Sequence, residues 1–330
     1  MKWGIISTAK IGMEKVIPGI LKSDSEEVVA IGSRNLESAK EAATSLNIPK
    51  FYGSYEDVIN DPEVEIIYNP LPNHMHVEWT AKAIKAGKHV LCEKPLFIDP
   101  IDAELLIKLR DQHQVKVGEA FMVRTHPQWI KAKEIIDSGE LGEVLSYQAT
   151  FSYFNTDPKN IRNIAEYGGG ALRDIGCYPI MTSRYLFNEN PEQVILNAQI
   201  HPDFKTDILS NAIMKFYSGR TASFTVSTQL SPYQRVHVLG SKKEMEILIP
   251  FNAPTDRNTL IKINNGDILQ KDIEKIEIPA CDQYQLQSEA FSDVIKKNTK
   301  VPVSLEDALD HSRIIAGLFE SLETERWVSL

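Results

Sequence analysis

The stretch Gly4-Ile5-Ile6-Ser7-Thr8-Ala9-Lys10-Ile11-Gly12 decides the fold of the first third of the chain, because it joins a short apolar run to a helical pattern. A dinucleotide-binding turn of the form GxGxxG would place glycines at positions 7, 9 and 12, and only Gly12 is present. Ser7 and Ala9 are small enough to let a pyrophosphate approach the backbone, and the hydroxyls of Ser7 and Thr8 can donate to phosphate. Taken alone, the stretch fits either a cofactor loop or an ordinary strand-to-helix turn.

The surrounding pattern favours the cofactor loop. Short apolar runs typical of buried parallel strands occur at Trp3–Ile6, Val28–Ile31, Lys50–Tyr52, Glu65–Tyr68, His89–Cys92 and Val115–Gly118. Helical patterns separate them, from Asn35 to Ser45, from Asn73 or His74 to Gly87, and from Asp99 or Asp102 to Gln112. Strands alternating with helices of this length predict βαβ units and a doubly wound parallel sheet.

The pattern changes after Phe121. A helix is predicted over Pro127–Ser138, and longer alternating strands follow at Val144–Tyr153, Val194–His201, Asn211–Tyr217, Thr221–Ser227, Arg235–Leu239 and Met245–Ile249. Turn residues at 217–220 and 240–241 predict antiparallel hairpins, and helical stretches at Tyr284–Lys297 and Ser304–Arg326 end the chain. We therefore expect a dinucleotide-binding domain over residues 1–121. An α+β domain with a large open, mostly antiparallel sheet is expected over 122–330.

The second strand ends in Ser33-Arg34, where an NAD enzyme usually carries an acidic residue for the ribose 2′-hydroxyl. A guanidinium instead grips a 2′-phosphate, so this pair predicts NADP(H), unless Arg34 is simply a solvated loop residue. The loop after the fourth strand, Asn69-Pro70-Leu71-Pro72-Asn73-His74, should also lie near the cofactor because ligands bind beyond the carboxyl ends of parallel strands. The alternative is a proline-stiffened loop with Asn73 as a helix cap.

Two further motifs carry candidate chemistry. Glu93-Lys94-Pro95 follows the fifth strand, where the Lys94 charge would stabilise a developing alkoxide and lower the pKa of a neighbouring acid. Asp174 and Tyr178 follow three glycines in a helical stretch, and their i,i+4 spacing puts a phenol and a carboxylate on one face. A Tyr–Asp pair in a domain interface explains that spacing equally well. His74 and His76 are interpreted as surface or cap residues, and no metal site is predicted.

Composition restricts the remaining function classes. The 330 residues carry a formal net charge of -9, which argues against binding to nucleic acid or to an anionic membrane. Three scattered cysteines argue against a disulfide scaffold and favour a reducing, cytoplasmic location. Neither a signal peptide nor an apolar run long enough to cross a membrane is found in the sequence.

These motifs together resemble the glucose-fructose oxidoreductase / inositol dehydrogenase (Gfo/Idh/MocA) family over essentially the whole chain. The phrases at residues 48–56 and 174–178 are similar to its branch of dimeric dihydrodiol and NADP-dependent D-xylose dehydrogenases, in which Tyr replaces His. The resemblance implies a Rossmann domain and hydride exchange between NADP(H) and a sugar, sugar derivative or cyclic diol. It also implies that Lys94 is the catalytic lysine, Tyr178 the acid/base and Asp174 an orienting group. The expected cofactor contacts are Ser7, Thr8, Ala9, Lys10, Ile11, Ser33, Arg34, Asn69, Pro70, Leu71, Asn73, His74, Glu93, Lys94 and Pro95.

The resemblance leaves alternatives open. Substrate contacts are expected at Lys94, Arg162, Asp174 and Tyr178, with Arg124 a weaker candidate. Some relatives use bound NAD to cleave glycosidic bonds, which Ser33-Arg34 disfavours, and others are NADP-binding regulators, which would not need Lys94 and Tyr178.

Self-association is also predicted, on the basis of the second sheet. Ile213 and Met214 make both faces of one strand apolar, and apolar rows extend from Met214 to Phe216 and from Phe224 to Val226. We expect a homodimer or a dimer-based tetramer through this sheet.

Overall fold

A computed structural model describes all residues from 1 to 330, and the chain folds into two compact units. The first unit comprises Met1–Thr125 and Asp282–Leu309, and the second comprises His126–Cys281 and Asp310–Leu330.

The first unit is built on a six-stranded parallel sheet. Its strands are β1 (Lys2–Ile5), β2 (Glu27–Gly32), β3 (Lys50–Tyr52), β4 (Ile66–Asn69), β5 (His89–Cys92) and β6 (Val117–Glu119), in the order β3-β2-β1-β4-β5-β6. Its helices include α1 (Ile17–Ile20), α2 (Leu36–Leu46), α3 (Tyr55–Asn60), α4 (His76–Lys85) and α5 (Ala103–His113). The predicted doubly wound sheet is confirmed, and the strand order reverses between β1 and β4, which is where such sheets bind ligands.

Local sequence explains the helix boundaries of this unit. Asn35 caps α2 as expected, since its side chain accepts hydrogen bonds from the amides of Glu37 at 2.9 Å and Ser38 at 3.2 Å. Asn73 does not cap α4. A 3₁₀ turn at Asn73–Met75 precedes that helix, and no side chain caps either element.

The second unit contains α6 (Pro127–Asp137), β7 (Val144–Phe154), α7 (Cys177–Phe187), β8 (Pro191–Ile200), β9 (Asp207–Phe216), β10 (Thr221–Ser227), β11 (Gln229–Gly240), β12 (Glu244–Ile247), β13 (Thr259–Asn264) and β14 (Ile273–Ile278). The sheet order is β14-β13-β12-β11-β7-β10-β9-β8, with β7 and β10 parallel and the other neighbours antiparallel. The large, mostly antiparallel sheet is therefore confirmed. Strands β13 and β14 were not predicted, because charged residues interrupt their apolar pattern.

The chain ends with α8 (Gln283–Lys297), α9 (Leu305–Thr324) and β15 (Val328–Ser329), and β15 pairs with β8 at the edge of the second sheet. Asp282 caps α8, and Phe291 of that helix lies 6.2 Å from the ring of Trp3. Because α8 packs with β1, the division by packing is discontinuous and differs from the continuous 122–330 domain expected from the sequence. None of the helices combines the length and apolar character that crossing a membrane requires.

The apolar rows of β9 and β10 are buried within the second unit itself. Met214, Phe216 and Val226 are fully buried, and the Phe216 ring meets Phe187 of α7 at 4.9 Å. The expectation that these rows need a partner subunit was wrong, because α7 covers them. Ile213, on the opposite face, remains 42% exposed.

Candidate active site

The turn after β1 is compact and keeps its polar groups accessible. The Ser7 hydroxyl oxygen accepts a hydrogen bond from the Ala9 amide at 3.0 Å, which leaves the hydroxyl proton available to an acceptor. Ser7, Thr8, Ala9 and Ile11 are partly exposed and Lys10 is exposed. A side chain at Gly12 would meet only Tyr68 and Pro70, at an ordinary contact distance of 3.7 to 3.8 Å. Gly12 itself is buried, and the accessible part of this glycine-poor turn is formed by residues 7–11.

The end of β2 carries the predicted phosphate-binding pair. Ser33 is buried, and its hydroxyl oxygen accepts from the Asn35 amide at 3.2 Å, so it shapes the turn. Arg34 is exposed immediately beyond the strand. A guanidinium in that position is available to an anion arriving at the carboxyl edge of the sheet.

The loop after β4 is held from within by Asn69. Its side chain is fully buried, donates to the His76 carbonyl and the Thr80 hydroxyl at 3.2 Å, and accepts from the Leu71 amide at 3.2 Å. These contacts occupy the amide, so Asn69 contributes by shaping the loop. Pro70 and Leu71 are buried, Asn73 is partly exposed and His74 is exposed.

His76 joins this loop to the next one. Its imidazole is fully buried, with Nε2 at 2.7 Å from the Leu71 carbonyl oxygen and Nδ1 at 2.8 Å from the Pro95 carbonyl oxygen. Its interpretation as a surface or cap residue was wrong. Burial lowers the pKa of His76, although both carbonyl contacts oppose this shift. The imidazole sets the distance between two predicted cofactor loops.

The loop after β5 carries Glu93, Lys94 and Pro95, of which the first two are partly exposed. The Tyr68 hydroxyl donates to Glu93 Oε1 at 2.7 Å, and burial, reinforced by the Glu93 charge, raises the pKa of Tyr68 well above its ordinary value. The Leu96 amide donates to Glu119 Oε1 at 2.7 Å. Hydrogen bonds thus hold the Glu93 side chain before Lys94 and the Leu96 backbone after it.

In the second unit, Asp174 is the centre of a charged cluster. Its Oδ2 accepts from the Tyr153 hydroxyl at 2.6 Å and from Arg162 Nε at 2.8 Å. Burial, followed by the Asp174 charge, holds the pKa of Tyr153 far above its ordinary value, and Asp174 raises the pKa of Arg162. The cluster brings two predicted residues together and adds Tyr153, which no motif singled out.

Tyr178 lies on α7 among aromatic rings and is 6% exposed. The rings of Phe151 and Phe251 lie 5.8 Å and 5.5 Å from it. Phe251 follows Pro250, whose carbonyl oxygen accepts from Trp129 Nε1 at 2.7 Å. The phenol ring of Tyr178 is therefore confined by neighbours that are themselves fixed.

Comparison with known proteins identifies the family. A model of the oxidoreductase family with an NAD-binding Rossmann fold, GFO_IDH_MocA, matches residues 1–121, and the GFO/IDH/MocA C-terminal domain matches residues 129–246. The chain belongs to the GFO/IDH/MocA oxidoreductase family. The resemblance inferred from the motifs is thereby confirmed.

Three known proteins illustrate what this GFO/IDH/MocA chain is similar to. An uncharacterized oxidoreductase of Rhizobium meliloti is 43% identical over 99% of this chain and 98% of its own length. The D-xylose 1-dehydrogenase (NADP(+)) 2 of Haloferax volcanii is 32% identical, with both chains covered completely. A 3-ketoreductase from Actinomadura kijaniata, solved with NADP and TDP-benzene, superposes with a TM-score of 0.90 at 28% identity and covers 97% of each chain.

Arg124 is the weaker of the predicted substrate contacts of this GFO/IDH/MocA protein. It falls in the first unit, where its Nη2 donates to the Pro302 carbonyl at 3.3 Å. That contact ties the end of the Rossmann segment to the α8–α9 connection and favours a structural role for Arg124.

Two helices of this GFO/IDH/MocA protein begin with a widened, π-helical turn. One covers Gly12–Val16 before α1, and the other covers Leu172–Gly176 before α7. Such turns are rare and are enriched at functional sites. The turn before α7 contains Asp174, so the i,i+4 geometry expected for an ordinary α-helix does not strictly apply to Asp174 and Tyr178.

Proposed function

We propose that this protein is an NADP(H)-dependent dehydrogenase or reductase (EC 1.1.1.-) acting on a CH–OH or C=O group of a sugar, sugar derivative or cyclic diol. The observation that carries the proposal is the exposed guanidinium of Arg34 beyond β2, at the position where NAD enzymes carry an acid. The NADP-dependent xylose dehydrogenase of Haloferax volcanii and the ketoreductase solved with NADP support the same assignment.

The residues present fit the cofactor. The small side chains of the partly exposed turn at residues 7–9 suit a pyrophosphate at the β1–β4 switch point, and the hydroxyls of Ser7 and Thr8 would donate to it. Arg34 would bind the 2′-phosphate, and the loops at 69–74 and 93–95 would hold the nicotinamide end. When bound, the nicotinamide supplies or accepts the hydride.

The chain's own residues would manage the proton. We assign to Tyr178 the phenol that donates a proton to the substrate carbonyl oxygen in reduction and takes it from the hydroxyl in oxidation. Lys94 would stabilise negative charge on that oxygen. Asp174 already accepts from Tyr153 and Arg162, so it orients its neighbours and does not act as a base.

The first experiment is a fluorescence titration of the purified protein with NADPH and NADH, followed by an absorbance screen with aldoses, ketoses and trans-dihydrodiols. We expect tighter binding of NADPH and turnover of at least one polyol or carbonyl compound. Tyr178→Phe should reduce kcat by about 10²-fold or more. The matched control Tyr217→Phe alters an exposed tyrosine and should leave turnover unchanged.

The outcomes separate the alternatives. Preference for NADH would remove the role given to Arg34. Tight cofactor binding without oxidation or reduction of any substrate would contradict the dehydrogenase assignment. Glycoside cleavage in that situation would indicate an NAD-assisted hydrolase, and its absence would indicate a regulator.

We also propose that two copies associate through the outward face of the second sheet. A groove of about 960 Å³ crosses that face, lined in part by Ile195, Ile213 and Tyr233. Ile213 and Tyr233 are largely exposed, and a second copy would cover them. Light scattering that shows a monomer at micromolar concentration would contradict this proposal.

A further inference from the structure

Asp207 is a buried carboxylate at the first position of β9, and it is only 2% exposed. Its Oδ2 accepts hydrogen bonds from the Leu172 amide at 2.7 Å and from the Ser210 hydroxyl at 2.6 Å. Leu172 is the first residue of the widened turn that leads into α7. A side chain on the sheet therefore binds the beginning of the helix that carries Tyr178.

Oδ1, the other carboxylate oxygen of Asp207, restricts which residue position 170 can hold. That residue has a φ of +115°, and a Cβ built on it would lie 2.0 Å from Asp207 Oδ1. The third glycine of the run is therefore required both by its backbone conformation and by the carboxylate beside it. Gly170 thus allows the close approach of Asp207 to the backbone.

The Leu172 amide, which donates to Asp207, lies in the first turn of the helix, where backbone N–H groups have no acceptor within the helix. A negative charge there also interacts favourably with the helix dipole. The Asp174 amide donates to the Gly170 carbonyl at 3.0 Å in the same turn. Asp174 thus lies within a turn whose start is held by Asp207, and Tyr178 lies in the helix that follows this turn.

We infer that Asp207 is a positioning residue, which fixes the start of the helix carrying Asp174 and Tyr178 and so determines where the phenol meets its substrate. The expected effect on turnover rests on the proposed function. The effect on the helix start does not depend on it.

The charge state of Asp207 gives this role a pH dependence. Burial raises the pKa of Asp207 to about 6, against the opposing effects of Ser210, the Leu172 amide and the Arg173 charge. The titratable groups whose pKa Asp207 raises are Arg173 and Tyr153. Arg173 stays charged, and Tyr153 stays neutral because a phenol is protonated near neutral pH and burial raises its pKa further. As the pH falls through 6, Asp207 becomes neutral and a weaker acceptor, so kcat should decrease there.

The test compares Asp207→Asn with Asp203→Asn, which changes an exposed aspartate in the segment leading into β9. Hydrogen exchange measured by mass spectrometry over residues 168–178 reports on the helix start, and kcat, its pH profile and the NADPH Kd report on function. For Asp207→Asn we expect exchange at the Leu172 amide to rise and kcat to fall by about tenfold each, as loss of a charged acceptor predicts. The decrease in kcat near pH 6 should disappear, with an unchanged NADPH Kd. Asp203→Asn should match the wild type.

A milder variant keeps the test decisive if Asp207→Asn does not fold. Ser210→Ala removes one of the two donors to Oδ2 and should move exchange and kcat in the same direction by a smaller factor. Unchanged exchange at residues 168–178 in either folded variant would overturn the inference. If exchange rises but the wild type turns over no substrate, the positioning role stands and the proposed function fails.

Discussion

The Tyr153 hydroxyl donates to Asp174 Oδ2 across 2.6 Å, and Arg162 Nε donates to the same oxygen across 2.8 Å. Two donors on one oxygen, one of them charged, stabilise the ionised carboxylate. Asp174 therefore serves as a fixed negative charge in the turn that leads into α7, the helix that carries Tyr178. Its orientation depends on a tyrosine that comes from the end of β7.

Tyr153→Phe should lower kcat without changing cofactor binding. The substitution removes one hydrogen bond to Asp174 and leaves the Arg162 contact in place. The loss of one bond to a charged acceptor, about 1.5–3 kcal/mol, corresponds to a decrease in kcat of about tenfold or more if all of it is realised in the transition state. Steady-state kinetics with titration of NADPH measure both effects, and Tyr217→Phe is the control. A kcat equal to that of the wild type would show that Arg162 alone orients Asp174.

Arg34→Ala should weaken NADPH binding selectively. A guanidinium–phosphate contact contributes about 1.5–3 kcal/mol, so the Kd for NADPH should rise roughly 10- to 100-fold while that for NADH stays the same. The difference should shrink at high salt, because Arg34 is exposed. Arg257→Ala, at an exposed site in the second unit, is the matched control. Equal losses for both cofactors would show that Arg34 does not recognise the 2′-phosphate.

His76→Phe should destabilise the protein and weaken NADPH binding together. The ring volume is kept, but the Leu71 and Pro95 carbonyls lose their buried contact with the imidazole. Leaving buried acceptors unsatisfied costs about 1–3 kcal/mol of unfolding free energy, and the two loops lose their common anchor. Denaturant unfolding and NADPH titration test this, with exposed His113→Phe as control. Normal NADPH binding in a destabilised variant would restrict His76 to a structural role.

His126 should make the protein less stable in acid. Burial lowers the pKa of His126 from 6.5 to about 4, so the imidazole is neutral in the folded protein. Below pH 6.5 the imidazole of His126 binds a proton in the unfolded chain but stays neutral in the folded protein. The free energy of unfolding is therefore unaffected by His126 above pH 6.5. It decreases by about 3 kcal/mol as the pH falls towards 4.

The comparison for this prediction is His126→Asn. His126 Nδ1 accepts from the Gln128 amide at the start of α6, and asparagine can replace it as a cap. Denaturant unfolding between pH 4 and 7 should show a shallower loss of stability for His126→Asn than for the wild type. Parallel curves would assign the acid sensitivity to other groups.

Short-range pattern was enough to predict the first sheet and its loops. Parallel strands buried on both faces appear as apolar runs, and β5 occupies the predicted residues. The predicted bounds of the edge strand β3 and of β10 in the second sheet also match. Lys94, Asp174 and Tyr178 were recognisable because each stands in a compact local motif. Their assigned roles stay predictions until the variants are measured.

Long-range partners could not be predicted in the same way. Tyr153 reaches Asp174 across 21 residues and Asp207 reaches Leu172 across 35 residues, and neither stands in a motif. His76 was misassigned because a polar residue beside a helix start usually faces solvent, whereas here two carbonyl groups surround it. The packing of Asp282–Leu309 with the first unit depends on a contact surface of α8 that no local signal connects to β1.

That discontinuity has a consequence for synthesis on the ribosome. Trp3 packs against Phe291, and its Nε1 donates to Glu26 Oε2, the same oxygen that accepts from the Ser292 hydroxyl. The packing around the amino-terminal sheet can therefore be completed only after residues 282–309 have been synthesised. A nascent chain stalled before residue 282 would carry an incomplete nucleotide-binding unit. The surface that α8 normally covers, including Trp3, would then be accessible to chaperones.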